Sequence, residues 1–195
     1  FWGWTNIYTY TKSIGEQVLD LTVAATAVVP DHAALFADGS LDPLLAAGPT
    51  AWHAVREALL AHQPTEHLHD DAELVLPFAV ADYVDFYASE HHATNVGKIF
   101  RPDGDALTPN WRHLPIGYHG RAGTVVVSET TIVRPSGQRR SPDGAITCGP
   151  STKLDIEAEL GFVVGTPSAL ATPVPIDQFA EHVFGVVLVN DWSAR

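Results

Sequence analysis

The segment Leu154-Asp-Ile-Glu-Ala-Glu-Leu-Gly-Phe-Val-Val-Gly165 carries the strongest structural signal in this chain. Its acidic residues Asp155, Glu157 and Glu159 stand at every second position, with Leu154, Ile156, Ala158 and Leu160 between them. Side chains two apart leave a strand from the same face, so the pattern predicts a strand with one apolar face and a row of three carboxylates on the other. Closely spaced like charges repel, and an unpaired charge taken out of water costs on the order of several kcal/mol. Such a row persists in solvent, as the acidic face of a surface strand, or around a cation. A hard divalent ion such as Mg²⁺ or Ca²⁺ takes oxygen ligands and turns the repulsion into binding energy.

The composition is that of a core-forming chain. Of its 195 residues 46% are hydrophobic and only 17% are charged, enough for one sizeable domain or a small domain plus part of a larger one. The net charge of −12 argues against nucleic acid, whose phosphates need Lys and Arg, and against anionic membrane surfaces. The single cysteine, Cys148, excludes an intramolecular disulfide framework, fits a reducing compartment, and reads as a small core residue rather than a nucleophile. The longest apolar runs, such as Phe184 to Val189, are too short to span a bilayer, and no charged leader with an apolar core opens the chain. Because it opens on Phe1 and stops at Arg195 inside a motif, the sequence reads as a piece of a longer polypeptide.

Working outward, Ile14 to Thr22 predicts a short hairpin with its turn at Gly15-Glu16. Ala- and Leu-rich helical stretches follow, and Pro49-Thr50 caps a segment in which Trp52, Val55 and Leu59 recur at helical spacing to about Leu60. The polar residues 62–73 predict a linker, which places a domain edge near residue 75. Beyond Pro77 the texture is β-rich. Thr124 to Val127 and Thr131 to Val133 are β-branched runs, residues 135–151 read as a long Pro/Gly/Ser loop, Pro173 to Val183 as a loop entering a helix, and Phe184 to Val189 as a buried strand.

Four clusters can carry chemistry. Asp82 to Gly97 mixes carboxylates, phenols and imidazoles, although a polar loop with two satisfied histidines has the same composition. Pro115 to Arg121 is a Gly-bounded turn that exposes Tyr118, His119 and Arg121, which simple turn chemistry also explains. The acidic strand is the third. In the fourth, Asn190-Asp-Trp-Ser-Ala-Arg195, polar groups follow an apolar strand, where a helix N-cap at Asp191 or Ser193 would account for the same letters. No phosphate loop, nucleophile elbow or zinc helix is present, and the ten histidines are dispersed. Oxygen donors dominate, which favours Mg²⁺, Ca²⁺ or Mn²⁺.

Together DYVDFYASEHHATNVGKIFR (82–101), PNWRHLPIGYHGR (109–121), residues 153–165 and FGVVLVNDWSAR (184–195) resemble the fumarylacetoacetase family, in the same order. The likeness covers nearly all of residues 80–195; before residue 75 it rests mainly on Ile-Gly-Glu-Gln-Val-Leu-Asp-Leu, and the opening FWGWTNIYTYTK differs from the usual family start. The resemblance implies a β-rich α+β fold, with a small SH3-like barrel domain over residues 1–75 and an incomplete mixed β-sandwich roll over 76–195. It implies a divalent cation held by Asp85, Glu157, Glu159 and Asp191, which leaves Asp155 without a ligand role. It makes His92 the general base and His91 a bystander. Tyr87, Arg101 and Tyr118 would bind substrate, and Arg195 would bind substrate and stabilise an oxyanion.

The activity implied is metal-dependent C–C hydrolysis of 4-fumarylacetoacetate to fumarate and acetoacetate, in tyrosine and phenylalanine catabolism, by a cytoplasmic homodimer. Another hydrolase or decarboxylase of the wider superfamily, or a non-catalytic metal-stabilised module, shares parts of the pattern. The family continues past Asn-Asp-Trp-Ser-Ala-Arg into a Lys, a Gln and a Glu that orients the catalytic His, none of which lies in this sequence. Glu129 stands where the family often has a turn glycine, and Thr152 replaces a commonly basic residue.

Overall fold

A computed structural model of the chain describes residues 11–14, 17–70, 73, 75–114 and 116–194, so the expected turn at Gly15-Glu16, the unusual opening through residue 10, and Arg195 lie outside it. In chain order the elements are β1 (Thr11–Ile14), β2 (Gln17–Asp20), α1 (Leu21–Val28), α2 (Asp42–Ala61), β3 (Leu68–His69), β4 (Val84–Phe86) and α3 (Glu90–Phe100). They continue with β5 (Gly117–His119), β6 (Ser136–Arg140), β7 (Ile146–Pro150), β8 (Leu154–Val164), α4 (Phe179–His182) and β9 (Val183–Ala194). The fold is mixed α and β. Among the described residues the sheets are small and antiparallel: one three-stranded sheet in the order β1-β2-β3, and three two-stranded sheets, β4–β5, β6–β7 and β8–β9. Among the described residues no barrel closes, and no helix is long and apolar enough to cross a membrane.

The chain divides into two units, one formed by residues 1–79 with 127–195 and the other by residues 80–126. In the first, the expected N-terminal hairpin is present, with Ile14 opposite Gln17. Asp20 ends β2 and caps α1 by accepting from the Thr22 backbone N–H at 2.8 Å. Residues 42–61 are helical on both sides of a break at Gly48, whose φ of 81° suits glycine, and Pro49 starts the second helical stretch as the sequence indicates. Trp52 faces the core from it, donates its indole N–H to Leu44 O at 2.7 Å, and meets Phe184 edge-on at 5.3 Å. Leu19, Phe36 and Val55 are fully enclosed there, each burial stabilising by about 1.5–3 kcal/mol.

Three local expectations are corrected. Residues 135–151 form the β6–β7 hairpin rather than a long loop, because Ser141-Pro-Asp-Gly144 makes a tight turn with Gly144 N–H donating to Ser141 O. Thr124 ends a 3-10 turn, residues 125–127 and 131–133 are irregular, and neither run pairs with a strand among the described residues, so β-branching alone did not make strands of them. Of Phe184 to Val189 only Phe184 is buried, with Leu188 73% exposed, and Cys148 is exposed on β7 rather than in the core. The helix expected near Pro173–Val183 is α4, and β8 ends before Gly165 as anticipated.

Glu129 adopts a φ of 69°, in a turn where Thr130 N–H donates to Val127 O. A side chain in this left-handed region costs about 1–2 kcal/mol, partly offset because glycine is floppier when unfolded. Glu129→Gly is therefore expected to stabilise the protein by about 0.5–1 kcal/mol in denaturant unfolding.

Candidate metal centre and catalytic base

In the larger unit the antiparallel pair β8–β9 sets the geometry. Its register puts Glu157 opposite Asp191, Asp155 opposite Ser193, and Glu159 opposite Val189. Opposed residues of an antiparallel pair share a face, so Asp155, Glu157, Glu159, Asp191 and Ser193 all belong to one. Burial runs against the solvated-strand reading: Glu157, Glu159 and Asp191 are half-buried, while on the other face Leu160, Phe162 and Val164 are more than half exposed. Two carboxylates directly opposed cost roughly 0.2–1 kcal/mol by repulsion. Ser193 relieves part of this, donating its hydroxyl to Glu157 Oε1 at 3.3 Å.

Asp155 stands apart. It is exposed and accepts from the neighbouring Ile156 backbone N–H at 2.8 Å, so its oxygen is turned back on its own chain. The half-buried acids of this face are Glu157, Glu159 and Asp191. Asp191 and Ser193 lie inside β9, which overturns the helix-cap reading of that motif.

In the smaller unit, β4 pairs with β5 so that Asp85 lies opposite Tyr118. The Tyr118 hydroxyl donates to Asp85 Oδ2 at 2.7 Å, and Asp85 is half-buried. Asp82 forms an exposed ion pair with His119 at 3.3 Å. The polar stretch that follows is not a loop but helix α3, capped by Ser89, whose hydroxyl accepts from the His92 backbone N–H at 3.3 Å. His92 therefore sits in the first turn of a helix, with its ring exposed and edge-on to Tyr87 at 5.7 Å. His91 is engaged with the Asn95 amide at 3.1 Å.

Arg101 closes α3. Its guanidinium donates to the carbonyls of Asp105 (3.3 Å) and Ala106, and the backbone there passes so close that a Cβ on Gly97 would stand 1.8 Å from Ala106 O. Only glycine permits that approach. Tyr118 and Arg101 are both exposed and Tyr87 is half-buried. The sequence reading offered Ser193 only as a possible helix cap, and it singled out neither Trp111 nor the Tyr118–Asp85 bond. Of these only Ser193 carried a signal, its i+2 spacing from Asp191 on a strand.

Each unit brings half-buried oxygen donors of the kind a metal ion takes, Asp85 in the smaller and Glu157, Glu159 and Asp191 in the larger. With no sulfur or imidazole in the set, this chemistry suits a hard cation rather than zinc. A donor that orients a ligating carboxylate typically matters by about 10–100-fold. Tyr118→Phe is accordingly expected to weaken Mg²⁺ or Ca²⁺ binding about tenfold in a calorimetric titration.

Residues 82–195 match the family described as fumarylacetoacetate (FAA) hydrolase C-terminal, and residues 9–85 match fumarylacetoacetase N-terminal. The chain is similar to the fumarylacetoacetases of Bos taurus (43% identity over 203 residues) and Rattus norvegicus (44% over 204). It is also similar to that of Arabidopsis thaliana (39% over 205). Each alignment covers 94% of this chain and 48% of the relative, so the chain spans about half the length of the curated relatives it matches. The chain belongs to the fumarylacetoacetate hydrolase family.

Proposed function

We propose that these residues belong to a metal-dependent hydrolase that cleaves the C–C bond of 4-fumarylacetoacetate, giving fumarate and acetoacetate in tyrosine and phenylalanine catabolism. The observation that carries this reading is the half-buried face on which Glu157 and Asp191 oppose each other beside Glu159. Repelling carboxylates withdrawn from water call for a cation, and a β-diketone offers two oxygens to the same kind of ion.

Asp85, Glu157, Glu159 and Asp191 would hold Mg²⁺ or Ca²⁺, with Mn²⁺ also compatible. When bound, the ion supplies Lewis-acid compensation for the charge of an enolate leaving group. His92 takes a proton from water, and the hydroxide attacks the substrate carbonyl carbon. General-base action of this sort contributes typically about 10²–10⁴-fold. Arg195 offers a donor to the alkoxide, a role worth roughly 3–4 kcal/mol. The C–C bond then breaks, its electron pair leaves as the enolate of acetoacetate, and protonation completes the products.

Arg101, Tyr87 and Tyr118 anchor the substrate carboxylates, Arg101 exchanging its two backbone carbonyls for the firmer bidentate carboxylate. The wider reading includes an SH3-like N-terminal domain over residues 1–75, a β-sandwich roll from residue 76, and a cytoplasmic homodimer. Following the absorbance of fumarylacetoacetate with full-length protein tests the activity. Decay that depends on added Mg²⁺ or Ca²⁺ is expected; an intact, metal-loaded protein that leaves the absorbance unchanged retires the hydrolase reading.

A further inference from the structure

Trp111 is only 7% exposed, in a unit where Val84, Phe86, Leu114 and Ile116 are largely open to solvent. Its indole N–H donates to Tyr87 O at 2.8 Å, while the Tyr87 backbone N–H donates to Ile116 O at 2.8 Å. The Tyr87 peptide units are thereby tied on both sides. From this anchored backbone the Tyr87 hydroxyl donates to Ala93 O at 3.0 Å, and its ring stands 5.7 Å from the His92 ring at 76°.

We propose that Trp111 is a positioning residue for His92, acting through Tyr87. The inference rests on the reading of His92 as the base. A second tie joins the same turn to α3, the ion pair of Arg112 with Glu90, but those side chains are 64% and 50% exposed. Exposed pairs contribute little, whereas a hydrogen bond shielded from water is held more firmly. Trp111 rather than Arg112 fixes the imidazole. The indole reaches only the backbone of Tyr87, so its effect on the imidazole passes through the position of the Tyr87 ring.

Trp111→Phe in the full-length protein keeps the apolar bulk and removes the donor. Misplaced catalytic groups lose one to two orders of magnitude, so kcat is expected to fall about tenfold with Mg²⁺ affinity within about twofold. The His92 Cε1–H and Cδ2–H resonances should move as the Tyr87 ring shifts, a change that simple loss of stability does not produce. Trp111→His, which restores an N–H donor, should recover most of kcat, and Arg112→Ala should leave kcat within about twofold.

Unmoved His92 resonances in folded Trp111→Phe protein would overturn the proposal, as would an equal loss of kcat in Arg112→Ala. In the unsubstituted protein the Trp111 indole proton should exchange slowly with deuterium. Rapid exchange would refute the bond even if Trp111→Phe did not fold. Absence of turnover in the wild type sinks the hydrolase reading instead, and the His92 resonances still report whether Trp111 holds the ring.

Discussion

His92→Ala in the full-length protein is expected to lower kcat for fumarylacetoacetate by about 10²–10⁴-fold, the usual range for a lost general base. Its affinity for Mg²⁺ or Ca²⁺ should stay within about twofold, because an imidazole outside the oxygen-donor set contributes no ligand. The location supports a clean separation. His92 lies in the first turn of α3, its ring is exposed, and its backbone N–H rather than its ring serves the Ser89 cap. Removing the ring therefore leaves the helix start intact and costs little folding energy, on the order of 0.5 kcal/mol for an exposed site. His91→Ala is the matched comparison, since its ring engages Asn95 four residues on, across one helical turn. It should retain turnover. Equal loss of metal binding and activity in His92→Ala would make that residue structural and leave the reaction without its base.

Such a separation was partly legible in the amino-acid sequence, and the limits have physical causes. Strand β8 could be read directly because period-2 alternation of acids and apolar residues belongs to no other regular structure. The register was not legible. That Glu157 faces Asp191, rather than a neighbour one residue away, depends on the course of the connection from Gly165 to His182. The break in α2 at Gly48-Pro49 could be read, because both residues oppose a continuous helix for local reasons.

Hairpin β6–β7 was missed because its strands, SGQRR and ITCGP, are short, mostly exposed and rich in loop-like residues. Its Pro-Asp-Gly turn was the signal available, and it outweighs strand propensity. The reverse error at residues 124–127 and 131–133 has the same root: β-branched residues make a strand only where a partner strand is in reach. Which face of β8 would be covered was also hidden. Hydrophobicity alone favours burying Leu160, Phe162 and Val164, yet these are the exposed ones and the acids are half-buried. Trp111 and the Tyr118–Asp85 bond act across 24 and 33 residues of chain, a separation at which spacing rules say nothing.

The double substitution Glu157→Gln, Glu159→Gln is expected to reverse its effect on stability when a divalent ion is added. Without an ion, wild type bears the repulsion of Glu157 against the directly opposed Asp191, with Glu159 further along the same face. Relieving a directly opposed like-charge pair gains roughly 0.2–1 kcal/mol, so the ion-free variant should be the more stable protein. Gln preserves an acceptor for the Ser193 hydroxyl, which keeps that bond from confounding the comparison. With the ion at about 100 times its wild-type Kd, linkage stabilises wild type by about 2.7 kcal/mol. Losing two ligating carboxylates should weaken affinity by at least the roughly 100-fold that supporting groups alone can cost. The variant then gains no more than about 0.4 kcal/mol at the same concentration, and the order of stabilities inverts by about 2 kcal/mol. Denaturant unfolding of both proteins, with EDTA and with saturating Mg²⁺ or Ca²⁺, reads the crossing directly. A variant less stable than wild type in EDTA would mean the carboxylates are satisfied by the protein itself. Equal stabilisation of both proteins by the ion would place the cation away from β8.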